Sequence, residues 1–344
     1  MNNKRILVTG GSGFIAGHCI LQLLEQGYQV RATLRSLSKE PAARKALQDA
    51  GMVNGDQLSF VTADLLDDAG WDAATTEIDA ILHVASPVQP GHIENEDDLI
   101  IPAREGTLRV LRAAQAAGIR RVVLTSAFHA VSWGHPQRGQ TFTENDWTNI
   151  DGPGVDAYGK SKTLAERAAW DYVADAGLGL ELVTLLPVAV MGPLIGHAIS
   201  GANHIVQRML NGDMPGFPDL YIPVVDVRDV ASAHILAMTT PAAANQRFLI
   251  SNGAPLSMQA IGDIIKAECG AAASKVPTRK LPSWFIRLAA PFKPELRHIV
   301  HDLGYIKQTS NEKARNVLGW APRRAQIAVA AAASSMVAKG VLKV

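Results

Sequence analysis

Shortages bound this chain before its motifs do. Two cysteines, Cys19 and Cys269, lie far apart and match no metal-ligand spacing. Neither a disulfide framework nor a cysteine metal centre is therefore expected, and a reducing, cytoplasmic setting fits. Cys19 falls in an apolar helical pattern and reads as packed. Charge of either sign is also in short supply: 33 Lys+Arg against 32 Asp+Glu leave +1, which argues against nucleic acid or an anionic membrane as partner. Long apolar runs are missing as well. The alanine-rich stretch from Gln326 to Lys339 is too short and too weakly apolar to span a bilayer, and reads as a surface helix. Met1–Arg5 runs directly into the strand-like Ile6-Leu7-Val8, so no signal peptide is expected.

What remains is a soluble globular pattern of 344 residues, 47% of them hydrophobic, enough for two domains or one large α/β domain with an added lobe. Short β-branched runs predict strands at 5–9, 29–34, 58–62, 80–84, 121–126 and 180–187. Helical periods lie between them at 14–26, 97–117 and 158–176, closed by Gly27, Gly118 and Gly177 as C-caps. Alternation of this kind predicts an α/β fold, a Rossmann-type doubly wound parallel sheet. The pattern loosens from about Pro193. The expected division is a dinucleotide-binding domain at 1–192, with later strands interleaved, and a smaller substrate-binding lobe with C-terminal helices at 193–344.

Three motifs carry chemistry. Thr9-Gly10-Gly11-Ser12-Gly13-Phe14-Ile15-Ala16 joins the first strand to the first helix. Glycine there allows a tight turn and close approach to a pyrophosphate, and the helix amino end supplies free amides. At the end of the second strand stands Arg35, followed by Lys39. An arginine fork suits a ribose 2′-phosphate where NAD-selective sites place an acid. NADP(H) is therefore expected over NAD(H). Third, Tyr158 and Lys162 are spaced i, i+4 and share a helix face. A nearby ammonium favours the phenolate and is expected to draw the phenol toward neutrality, making a proton donor or acceptor. Asp64, beside Leu65, either meets the adenine or caps the next helix. His83 reads as a packed core histidine, and Val84-Ala85-Ser86 ends the fourth strand where ligands bind in such sheets.

Together the glycine loop, Arg35, Ala85-Ser86-Pro87, Glu105-Gly106-Thr107, Tyr158-x-x-x-Lys162, Pro187-x-x-x-x-Gly192-Pro193, Val225–Val230 and Asn311–Trp320 resemble an extended short-chain dehydrogenase/reductase. The likeness is to the dihydroflavonol-reductase-like branch, with its bacterial NADPH-dependent aldehyde and ketone reductases, and covers nearly the whole chain. It implies hydride transfer between nicotinamide C4 and a carbonyl carbon, with Tyr158 protonating the oxygen. Lys162 would lower the tyrosine pKa and hold the ribose, and Pro187 and Val190 would pack near the nicotinamide. The expected cofactor contacts are Gly10, Ser12, Gly13, Phe14, Ile15, Arg35, Lys39, Asp64, Leu65, Val84, Ala85, Ser86, Thr125, Tyr158, Lys162, Pro187 and Val190, with no metal.

One departure stands out. Where the family has a catalytic serine, this chain has Ala127, within Thr125-Ser126-Ala127-Phe128-His129. Ser126 is a candidate substitute, but neighbouring side chains of an extended segment point apart. His129 would share the face of Ala127 if the segment stays extended, and is the second candidate. Leu194–Ile199 and Met214–Pro218 are apolar, with Phe128, Trp133 and Phe217 as aromatic walls, and only Arg208 is cationic between Pro193 and Val227. A small hydrophobic carbonyl or alcohol substrate fits this lining, acted on by a monomer or homodimer. The alternatives are a sugar-nucleotide epimerase/dehydratase, which needs cations for a second pyrophosphate, and a non-catalytic NADP(H)-binding sensor.

Overall fold

Four apolar runs near the amino end, Arg5–Val8 (β1), Gln29–Leu34 (β2), Leu58–Thr62 (β3) and Ala80–His83 (β4), pair as parallel strands. Arg121–Thr125 (β5), Glu181–Pro187 (β6) and Gln246–Ile250 complete a seven-stranded sheet. The computed structural model describes residues 4–87, 95–175, 179–293, 296 and 299–343; the expected cap at Gly177 lies outside them. Between β6 and the last sheet strand lie Ala189–Met191 (β7) and Val224–Asp226 (β8), which pair with each other in parallel, so Gln246–Ile250 is β9. The sheet order is β9-β6-β5-β4-β1-β2-β3. The winding reverses between β1 and β4, and that switch point opens a crevice at the carboxyl ends of the strands.

Both faces of the sheet are covered, which is why its strands read as unbroken apolar runs. Helix Phe14–Glu25 (α1) joins one face, where Ile6, Val8, Leu82, Val123 and Phe248 share a core with Cys19, Ile20 and Leu23. Helices Asp97–Ala116 (α2) and Ala157–Asp175 (α3) cover the other, over Leu7, Ile81, Val122, Leu124 and Leu182. Val227–Thr239 (α4) lies beside α1. Gly27 and Gly118 take positive φ, 79° and 68°, just past α1 and α2, the left-handed closure their sequence positions predict.

A separate apolar cluster draws on residues 191–342, with Met191, Val206, Met209, Val224, Met258, Ile261 and Ile265 at its centre. Helices Met258–Cys269 (α5) and Ala325–Ala338 (α6) pack together there. The alanine-rich stretch is a helix at the surface that buries one side: Ala325, Ala328, Val329, Ala332, Ala333 and Met336 are buried, while Ile327 and Val337 are exposed. Its four buried alanines let α6 pack closely on α5, with Val329 and Met336 filling the rest of that side. Trp320, just before α6, is 2% exposed and donates its indole N–H to the carbonyl of Asp229 at 2.8 Å. No helix among the described residues is long and apolar enough to cross a membrane.

Candidate active site at the carboxyl edge of the sheet

The glycine loop is built as a phosphate cradle. Gly10 has φ +73°, and a Cβ there would come within 3.0 Å of Ala85 Cβ, so loop and β4 end touch across the crevice. Thr33 of β2 fixes the turn, its hydroxyl accepting the Gly10 amide at 2.9 Å and its carbonyl the Gly11 amide at 2.8 Å. Gly13 caps α1 without a side-chain partner, and the first turn holds no acid. The amides of Ser12, Phe14 and Ile15 have no acceptor among the described residues. Free amides at a positive helix end, behind exposed Ser12 and Gly13, fit a pyrophosphate. Arg35 and Lys39 are exposed just beyond β2, open to a 2′-phosphate.

The neighbouring turn resolves one alternative. Asp64 Oδ1 accepts the Leu66 amide at 3.1 Å and so closes a turn rather than starting a helix. Leu65 is buried beneath Gly106 of α2, where an added Cβ would lie 3.0 Å from Leu65 Cβ. Thr9 Oγ1 accepts the amides of Val84 and Ala85 at 3.0 and 2.9 Å. Its own proton therefore goes to His83 Nδ1, 2.9 Å away, which leaves the histidine protonated on Nε2. That Nε2 is buried and finds no partner among the described residues. Burial, then the Lys162 ammonium, push the His83 pKa down to about 3. It is a neutral core group.

Tyr158 and Lys162 share one face of α3, with Nζ 5.8 Å from the phenol centroid. The expectation that the ammonium draws the phenol toward neutrality is corrected. Burial, reinforced by the Asp156 carboxylate, pushes Tyr158 up to about 12. Burial lowers Lys162 to about 8, against the pull of Glu166. At neutral pH the phenol holds its proton and the amine its charge.

Around the missing serine the backbone does not stay extended. Ala127 is extended at φ −156°, but Phe128–Ala130 turn into a short 3-10 helix. That turn, and not strand alternation, brings His129 to the tyrosine: their rings meet edge-on at 4.9 Å. The opposite neighbour is Trp133, stacked on His129 at 3.8 Å and 13°, and Lys307 Nζ lies 3.6 Å over the indole. Burial pushes His129 down to about 4, opposed chiefly by Asp156. It stays a neutral imidazole.

Two expected site residues are committed elsewhere. Ser126 gives its hydroxyl proton to Glu166 at 2.6 Å in a buried cluster, so it does not replace the serine. Thr125, on the other face, bonds His234 Nε2 at 2.6 Å, while His234 Nδ1 gives its proton to the Val230 carbonyl at 2.7 Å. The Thr125 hydroxyl thus spends its proton on His234 and keeps only its acceptor lone pairs. Pro187 ends β6 buried and Val190 is partly buried in β7. Phe217 is core: 3% exposed, it fills the space over Gly262. Phe128 is equally buried, with Trp133 and Phe142 edge-on to it. Leu194 is buried in the second cluster and Ile195 packs on Gly17 of α1. Sequence reasoning missed Glu166, fully buried, although its i+4 spacing from Lys162 was there to see.

A profile of the NAD dependent epimerase/dehydratase family matches residues 6–251. Ketoreductase azaE of Aspergillus niger is 32% identical over 97% of each chain. Dihydroflavonol 4-reductase of Zea mays is 32% identical over 70% of this chain and 68% of its own. The crystal structure of Gre2 from Candida albicans in complex with NADPH superimposes with a TM-score of 0.80 at 27% identity, covering 98% of this chain and 99% of that one.

Proposed function

Because this chain belongs to the NAD dependent epimerase/dehydratase family, the extended short-chain dehydrogenase/reductases, we propose that it reduces an aldehyde or ketone with NADPH, Tyr158 delivering the proton. It is an NAD(P)-dependent oxidoreductase of the reductase kind. The observation that carries the reading is the Tyr158–Lys162–His129 group, whose lysine charge reaches His83, the histidine that Thr9 ties to the start of the glycine loop. The glycine-loop amides would hold the pyrophosphate, Arg35 the 2′-phosphate, and Lys162 the ribose next to the nicotinamide. NADPH, when bound, supplies the hydride that a carbonyl carbon accepts.

The residues then divide the work. Tyr158, protonated to about pH 12, gives its proton to the carbonyl oxygen as negative charge develops there. Lys162 remains cationic at neutral pH and offsets that charge. His129, a neutral imidazole beside the phenol, offers an N–H toward the same oxygen in place of the serine hydroxyl that Ala127 lacks. With Arg208 the only cation between Pro193 and Val227, the neighbouring segments suit an apolar carbonyl compound better than a second nucleotide.

The experiment is direct. NADPH oxidation is followed with aliphatic and aromatic aldehydes and ketones, using the wild-type protein and Tyr158→Phe. The reading expects turnover of at least one apolar carbonyl, lowered by roughly 10²–10⁴-fold in the variant, with NADPH binding retained. Tight NADPH binding without oxidation by any carbonyl would overturn it.

A further inference from the structure

The short helix Ser283–Ala289 turns its apolar side outward. Its one buried side chain is Ile286, which joins the second apolar cluster with Leu281 packed beside it. Backbone bonds from Phe217 to Arg279 and from Leu281 to Phe217, 2.9 and 2.8 Å long, hold the preceding segment in place. Positions 284 and 288 share the opposite face, one turn apart, and there Trp284 is 66% and Leu288 65% exposed. Phe285 is exposed next to them, its ring edge-on to Trp284 at 6.0 Å. Phe292, just beyond the helix, is 83% exposed. No other tryptophan or phenylalanine among the described residues is exposed. Single apolar side chains at a surface are ordinary, but a group of this kind marks a contact surface.

Charge around the group is of one sign. From Gly270 to Lys293 the chain carries Lys275, Arg279, Lys280, Arg287 and Lys293, with neither Asp nor Glu. All five are exposed, and none pairs with a carboxylate among the described residues. The near balance of charge over the whole chain, which argues against an anionic membrane, conceals this local excess. We propose that the face rests on an anionic lipid bilayer, with Trp284, Phe285, Leu288 and Phe292 entering the headgroup layer and the cations meeting lipid anions. Tryptophan, phenylalanine and leucine beside basic residues are the composition of helices that lie in the plane of a membrane. The indole suits the layer between water and acyl chains. A second copy of the chain fits less well. A two-fold contact sets a patch against itself, and here it would bring like charges together. An anionic lipid surface turns the same charges into attraction.

The test uses the full-length protein and vesicles. It is sedimented with vesicles of phosphatidylcholine alone, or with about one-third phosphatidylserine added. Each cation near the surface contributes roughly fivefold, so binding to the mixed vesicles should be at least tenfold tighter. Added salt should release the protein, and Trp284 emission should move to the blue on binding. Trp284→Ser/Leu288→Ser should weaken binding to the mixed vesicles by at least about tenfold. Lys280→Gln/Arg287→Gln should remove most of the preference for phosphatidylserine. All four side chains are exposed, so urea midpoints should stay at the wild-type value. Pelleting with neither vesicle overturns the proposal, as does equal pelleting with both, or wild-type binding by the Trp284→Ser/Leu288→Ser variant. Self-association that this variant abolishes, without vesicle binding by the wild type, would also overturn it and give the face to a second copy.

Discussion

The imidazole of His129 stands edge-on to the phenol of Tyr158, with ring centroids 4.9 Å apart and planes at 78°. The short 3-10 helix Phe128–Ala130 beyond Ala127 makes this contact, and the proposed function has the imidazole donate where the family's serine would. His129→Ala should lower kcat for carbonyl reduction by about tenfold, the worth of one neutral hydrogen bond, with NADPH affinity unchanged. Steady-state kinetics at pH 7 decides it. Equal kcat in both proteins would show that the ring only lines the pocket.

Ala127→Ser is the reverse experiment. Ala127 is 5% exposed and extended, so a hydroxyl fits the backbone. Removing one oxyanion donor costs about 10²–10³ in turnover elsewhere; restoring one here should raise kcat by at least tenfold. The double variant with His129→Ala should then lose less than His129→Ala alone.

Arg35→Ala separates the two dinucleotides. A charge-assisted bond to phosphate is worth about 1.5–3 kcal/mol, so NADPH should bind roughly tenfold to a hundredfold more weakly. NADH, without the 2′-phosphate, should bind as before. Titration calorimetry with each dinucleotide would expose a purely solvated arginine by equal effects.

Acid should destabilise the fold through its buried histidines. His83 and His234 titrate at about 3 and 4 in the folded chain, against 6.5 ordinarily, because burial disfavours their charged forms. Below pH 6.5 the unfolded chain therefore binds protons that the folded chain refuses, and stability falls with pH. At pH 5.5 the loss is about 1.4 kcal/mol for each. Urea midpoints at pH 7.5 and 5.5 measure it, and His234→Asn should flatten the dependence.

Trp320→Ala removes a fully buried indole and strands the Asp229 carbonyl. A loss of about 3–5 kcal/mol is expected, seen as a lower urea midpoint with little change in slope.

Much of the fold was legible because parallel strands buried on both faces must be short and apolar. The strand at Gln29–Leu34 was expected at those very residues, and the glycine loop sits where strand meets helix. The side chains of Thr125 and Ser126 were not legible. Alternation sends one to α4 and the other to α3, and their partners His234 and Glu166 lie 109 and 40 positions away in sequence. Nothing local signals such pairings. The tyrosine was misjudged for a related reason: spacing reveals the nearby ammonium but not the depth of burial that outweighs it. In α6 the signal was weak in kind, since alanine shows no contrast between an inner and an outer face.

The buried cluster around Glu166 also bears on how the protein is made. Glu166 meets Ser126 and Thr184 early, but Arg247 follows it by 81 positions. A chain emerging from the ribosome therefore carries Glu166 long before the cation it pairs with. Until β9 docks at the sheet edge, the carboxylate has no counter-charge to be buried with, and α3 has reason to stay loose. Synthesis that stops before residue 246 would leave Glu166 without the arginine it pairs with in the finished sheet.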